Sequence, residues 1–241
     1  MKKLTLVAVA ILFVSSANAQ WWGGKKIKGN GNMTKITRTT SDYDGIKCAG
    51  SFDYILVAGN EGKITIEGEE NLLEYIITEV KDGQLKVKTK NNVSLRTSYN
   101  KTIKITIPFK DIDEIALSGS GDLWNEDKIT ANNLEVSLAG SGDIVLDIEA
   151  TSIDGSLAGS GDMTLKGKTN DLEISLAGSG DIHGFGLQAN NTDVSVAGSG
   201  DIEIVSNKSL KARVSGSGDI QYKGNPAKED TKVSGSGSIS N

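Results

Sequence analysis

Residues 134–163 read LEVSLAGSGDIVLDIEATSIDGSLAGSGDM. A Gly-Ser-Gly-Asp quartet stands in it twice, beginning at Gly140 and at Gly159. The quartet also begins at Gly119, Gly178, Gly198 and Gly216, and once more at Gly235, where Ser238 replaces the Asp. Successive first glycines are 21, 19, 19, 20, 18 and 19 residues apart. Gly50-Ser51-Phe52-Asp53 reads as a degenerate earlier copy. Two residues before each first Gly lie Leu117, Leu138, Leu157, Leu176, Val196, Val214 and Val233, and directly after the fourth position lie Leu123, Ile144, Met163, Ile182, Ile202, Ile220 and Ile239. Between the first of these columns and the glycine sits a small residue, Ser118, Ala139, Ala158, Ala177, Ala197, Ser215 or Ser234. Ile115, Val136, Ile174 and Val194, four residues before the glycine, give period-2 alternation into the quartet, which is the mark of a half-buried strand.

Each repeat therefore reads as strand, corner, strand and a more variable return. A unit of about 19 residues cannot bury its own apolar face. Stacking successive units at the ~4.8 Å inter-strand spacing joins their Leu, Val and Ile columns into one core. The expected fold is all-β: a β-solenoid over 116–241, continuous with a β-rich part over 41–115 that covers its N-terminal edge. The corners are Gly119 and Gly121, Gly140 and Gly142, Gly159 and Gly161, Gly178 and Gly180, Gly198 and Gly200, Gly216 and Gly218, and Gly235 and Gly237. Two glycines fit a bend needing positive φ or close backbone approach, and the Ala or Ser before them fits a crowded inside bend. These fourteen account for nearly half of the 29 glycines in the 241-residue chain.

One Asp per coil creates an electrostatic problem. Asp122, Asp143, Asp162, Asp181, Asp201 and Asp219 would stack in a column, and unit charges ~4.8 Å apart repel by about 0.9 kcal/mol per pair even in bulk water. The expectation is that each carboxylate accepts backbone N–H groups at its own corner, as Asx turns do. The alternative is Ca²⁺ bridging between coils. Ser238 can still cap and is a poor cation ligand.

The first half lacks the crisp repeat. Phe52 to Ala58 and Lys63 to Glu67 read as strands; Tyr75 to Val80 and Gln84 to Thr89 flank Asp82-Gly83, a hairpin signal. Lys101 to Ile107 alternates and is expected to stop at Pro108. Asn71 to Tyr75 has room for one helical turn. Met1-Lys2-Lys3, the apolar run Leu4 to Val14 and Ala17-Asn18-Ala19 form a secretory signal peptide, residues 1–19, cleaved after Ala19. No later segment is long and apolar enough to span a membrane. Without Lys2 and Lys3 the chain carries 24 basic and 31 acidic residues, net −7, which argues against nucleic acid. Residues 20–40 read as a flexible basic arm, its glycines supplying the flexibility. Trp21, Trp22, Lys25 and Lys26 are the candidates there for docking an anionic surface, against a plain solvated linker.

A single His and a single Cys remove most metal and nucleophile chemistry. His183 lies one residue past an apolar column and so faces outward. Cys48 is read as a buried apolar residue. The acids follow the repeat and do not gather at one coil. Ser137, Ser156, Ser175 and Ser195 form an outer polar stripe. The expectation is no enzyme and no cofactor.

Asn71-Leu72-Leu73, Ile77-Thr78-Glu79-Val80-Lys81-Asp82-Gly83, Ile105-Thr106-Ile107-Pro108, the Gly-Ser-Gly-Asp series, Gly224-Asn225-Pro226 and the closing Ser234 to Ile239 together resemble the head GIN domain family, the "putative auto-transporter adhesins" of Gram-negative bacteria. The resemblance runs from about Tyr43 to Asn241. It implies an exported, β-rich cell-envelope or surface protein that adheres to a surface glycan or an envelope protein, and it brings no catalytic residues. The chain shows no translocator barrel of its own. The alternative is a periplasmic structural or stress-linked scaffold without a dedicated ligand, and a third reading is a polysaccharide-active enzyme. Exposed solenoid ends are compatible with a homo-oligomer.

Overall fold

The computed structural model describes residues 24–241; the leader and Trp21 and Trp22 lie outside them. The strands β1 (Lys25–Lys28), β2 (Met33–Thr39), β3 (Gly45–Gly50), β4 (Asp53–Ala58) and β5 (Lys63–Glu69) precede a one-turn helix, α1 (Glu70–Leu73). Then come β6 (Ile76–Lys81), β7 (Gln84–Thr89), β8 (Val93–Arg96), β9 (Lys104–Phe109), β10 (Glu114–Gly119) and β11 (Asp122–Asn125). The long coils follow: β12 (Ile129–Gly140), β13 (Ile144–Gly159), β14 (Met163–Gly178) and β15 (Ile182–Gly198). The last are β16 (Ile202–Val205), β17 (Ser209–Gly216), β18 (Ile220–Lys223), β19 (Lys228–Gly235) and β20 (Ile239–Ser240).

The repeat stacks as parallel, in-register coils. Before the corner the ladder runs β3, β10, β12, β13, β14, β15, β17, β19; after it, β4, β11, β13, β14, β15, β16, β18, β20. Gly50 pairs with Gly119 and Asp53 with Asp122, so the degenerate copy is a true first coil. Strict alternation places one column, Cys48, Leu117, Leu138, Leu157, Leu176, Val196 and Val214, at 2% exposure or less. The Cys48 thiol stands in this column, and burial pushes its pKa well up. Burying such a side chain contributes roughly 1.5–3 kcal/mol, and the columns repeat that gain coil after coil. Gly155 breaks the neighbouring column because the Ile174 side chain fills its place: a Cβ there would lie 2.5 Å from Ile174 Cδ1.

The small residues before the corner are not inside a bend. Ser118, Ala139, Ala158, Ala177, Ala197 and Ser215 are exposed. Period-2 alternation, with the Leu column inward, sends the next side chain outward; what is crowded is the glycine backbone itself.

In the first half, β6 and β7 form the expected hairpin, with Asp82 at φ 54° and Gly83 at φ 73°, the two positive values of a type I′ turn. The strands β7 and β9 run parallel to β3 and β4, making a rung before the first coil, and β5 and β2 continue antiparallel from β9. The strand β9 does not stop at Pro108. It continues to Phe109, with Pro108 opposite Val57 of β4. Pairing with β5 ends at Thr106, so the proline, which lacks an N–H, stands where no partner needs one.

The flexible-arm reading also changes. From Lys25 onward the segment is paired: β1 lies parallel to β8, and β2 antiparallel to β5. Glu69, fully buried, accepts hydrogen bonds at Oε1 from Gly31 N (2.5 Å) and Ser98 Oγ (2.6 Å), and at Oε2 from Ser98 N (2.8 Å). A Cβ on Gly29 would lie 2.0 Å from Glu69 Oε2. Glycine serves here for close approach to a carboxylate, not for looseness.

Candidate functional site

The corner column is the most regular surface feature. Each first glycine sits at positive φ, from 114° at Gly119 to 143° at Gly198. A Cβ on Gly140 would lie 2.2 Å from Gly119 O, and one on Gly161 only 1.9 Å from Gly142 O. Both positions are thus closed to side chains by the backbone of the preceding coil. Phe52 is tolerated in the first coil because the rung beneath it, β7 and β9, carries no such corner. Stacking also fixes the amides: Gly140 O accepts from Ser160 N (2.8 Å) and Gly161 N (3.2 Å), and the pattern recurs along the column.

The aspartates are brought together as a ladder, but they do not cap their own corners. The Oδ1 of each accepts the backbone N–H of the aspartate in the following coil: Asp122 from Asp143 (3.3 Å), Asp143 from Asp162 (3.0 Å), Asp162 from Asp181 (3.1 Å), Asp181 from Asp201 (2.8 Å) and Asp201 from Asp219 (2.7 Å). An N–H dipole is thereby interposed between successive negative charges, which offsets their repulsion. At the end Ser238 donates to Asp219 Oδ1 twice, from N (2.6 Å) and Oγ (2.9 Å). At position 238 the Ser gives the ladder a hydroxyl donor where the other coils add another carboxylate. Among the described residues no group of three or more His, Cys, Asp or Glu is arranged to hold a metal ion.

The other candidates scatter. His183 is exposed, its Nδ1 3.4 Å from Glu203 Oε2 on an open face. Ser137, Ser156, Ser175 and Ser195 align in register on the outer surface, with Ser175 and Ser195 hydroxyls 3.3 Å apart. Lys25 reaches to 5.8 Å from the Tyr75 ring centre, which Lys90 also approaches, at 5.5 Å; Lys26 is exposed.

Two surface features escape a reading by repeat. One is an open groove of about 540 Å³ where the return strand turns into the pre-corner strand. Its floor carries Leu172 and Leu210, and its wall carries a ladder of short polar side chains. There Asn191 Nδ2 donates to Asp171 Oδ1 (2.8 Å) and Ser209 Oγ to Asn191 Oδ1 (2.9 Å). The Asn191 bond, with one from Asn170, holds the Asp171 carboxyl below its ordinary range. The other is a depression around Trp124. Neither follows from the quartet, because both depend on residues that vary between coils. The signal available was that Trp124 occupies an outward position filled in other coils by Val145, Thr164 or Glu203.

The family model described as "Putative auto-transporter adhesin, head GIN domain" matches residues 42–226. Among solved structures, a "putative lipid binding protein" from Parabacteroides distasonis is 31% identical, with 90% of this chain and 99% of that one covered and a TM-score of 0.75. A "putative adhesin" from Bacteroides fragilis is 26% identical over 89% and 99% of the two chains, with a TM-score of 0.80. A second "putative adhesin", from P. distasonis, is 26% identical over 90% and 99%, with a TM-score of 0.71. No functionally curated protein matches the chain.

Proposed function

Because the chain belongs to the head GIN domain family, we propose that it is an exported cell-envelope or surface protein that works as an adhesin, with the outer faces of its β-solenoid as the binding surface. The observation that carries this reading is the division of each coil. Inward positions are filled by stacked aliphatic side chains, and outward positions present aligned polar columns along a stiff axis. A rigid face loses little entropy when it binds a repetitive partner. Export rests on the leader, Met1 to Ala19. No helix among the described residues is long and apolar enough to cross a membrane. The partner class is a surface glycan or an envelope protein. The lipid-binding name of one relative points to an alternative ligand; the coil interior has no room for an acyl chain, because Leu138, Leu146 and Leu165, at 0–1% exposure, fill it.

Fractionation of producing cells combined with protease shaving tests the reading. We expect the protein in the envelope and cleaved by protease added to intact cells. Complete protection in intact cells would overturn surface adhesion and leave the periplasmic scaffold in its place.

A further inference from the structure

On the outer face after the corner, one register column runs Ile55, Trp124, Val145, Thr164, His183, Glu203 and Gln221. From Thr164 on it is polar. At its start Ile55 is buried, Trp124 is half-buried and Val145 is 40% exposed, next to one another in register. Isolated apolar side chains on a surface need no explanation, but an indole beside an exposed valine on an otherwise polar face does. The pair lines an open depression of about 540 Å³, with Asp122, Asp143, Asp147 and Lys166 around it.

The polar groups beside the indole are fixed in advance. Asp122 and Asp143 are each held at Oδ1 by the backbone of the next coil. Asn125 donates to Asp127 O (2.9 Å) and Asp147 O (2.8 Å) and accepts from Asp147 N (2.9 Å), which locks that wall. A ligand suited to this place needs a flat C–H face for the indole and hydroxyl donors at its edge for carboxylate acceptors. It must carry no negative charge, since carboxylates outnumber the one lysine. A neutral pyranose has all three properties.

We propose that the Trp124–Val145 depression binds a neutral pyranose residue of a glycan, stacked on the indole with its hydroxyls donating to Asp122 and Asp143. The proposal rests on the adhesive reading and gives it a ligand class and a place.

Affinity electrophoresis of the full chain through gels containing a neutral β-glucan, α-mannan or galactan, with heparin and polygalacturonate as anionic controls, tests it. We expect at least one neutral polymer to retard the protein. Trp124→Ala should weaken that retardation about tenfold or more, and Trp124→Phe by less. Val145→Lys, at an exposed position that leaves the core untouched, should abolish it with an unchanged melting temperature. The site is overturned if no neutral polymer retards the protein, if an anionic polymer retards it more, or if Val145→Lys binds like the parent. Beads coated with either protein separate the two claims. Equal adhesion of parent and Val145→Lys beads to cells sinks the site and keeps the adhesin. Glycan retardation by a protein sealed inside intact cells sinks the adhesin and keeps the site.

Discussion

A Cβ at Gly161 would meet Gly142 O at 1.9 Å, and no flexible side-chain end can give way there. Gly161→Ala should therefore force two coils apart and cost about 3 kcal/mol or more, read as a lower urea midpoint. Ser160→Ala, one residue away and exposed, should stay within about 0.5 kcal/mol. Asp162 gives a subtler contrast. Asp162→Asn retains the Oδ1 acceptor for Asp181 N and removes one like charge from the ladder, so it should be close to neutral. Asp162→Ala leaves that amide without its acceptor and should cost about 1 kcal/mol. Because the ladder is satisfied by amides, the melting midpoint should be the same with Ca²⁺ and with chelator. A rise of several degrees with Ca²⁺ would return the ladder to metal bridging.

At the scale of elements, Glu69 joins the connection between β1 and β2 to the turn after β8. Burial works to raise its pKa, but hydrogen bonds from Ser98 and Gly31, with Lys101 nearby, more than offset this and hold it below the ordinary 4.5. A carboxyl depressed in the folded state contributes stability that is present above its unfolded value and lost as pH falls through the folded one. Amide exchange of β1 and β8, corrected for the slower intrinsic exchange of an unprotected amide at lower pH, should therefore be slow at neutral pH and should quicken as pH drops below about 4.5. Glu69→Ala should make it fast at neutral pH and remove that dependence; a pH response that survives the substitution would move the clamp elsewhere. This element also marks where the sequence stopped being readable. The Leu and Ile columns, the corner and the Asp82-Gly83 hairpin repeat or sit on local signals, so their pairing follows from pattern alone. The carboxylate of Glu69 meets Gly29 and Gly31 from 38 or more residues away, and composition around those glycines reads as slack. The same limit hid the direction of the Asp bonds: a quartet shows that an acceptor stands at each corner, but only coil-to-coil stacking decides that its donor is the next coil. Trp124 was visible as a residue and not as a depression, since the register that sets it beside Val145 joins strands twenty-one residues apart.

For the whole molecule, the question a parallel solenoid raises is how it ends, since an uncovered coil is a template for another chain. The N-terminal end is closed by the β6–β7 hairpin and by β5 and β2. The C-terminal end is closed by chemistry. In β19, Glu229 stands in register with Leu210 and Thr231 with Ala212, two positions buried in every coil from β12 to β17. Val233, 40% exposed, and Ile239 of β20 keep the apolar identity of their columns. Asn241 returns to bond Gly224 O (3.1 Å). A further coil laid on this end would bury a carboxylate and a hydroxyl without partners, which is costly enough to oppose end-to-end stacking. The end is thus set to resist the homo-oligomer that an uncapped stack would form. Replacing Glu229→Leu together with Thr231→Val should restore an apolar rung and shift the protein toward dimers or longer assemblies in sedimentation velocity, while the parent sediments as a single coil stack at the same concentration. If the parent already associates and the double substitution leaves its sedimentation unchanged, the polar end rung is not what terminates the solenoid, and the contact must lie on a lateral face.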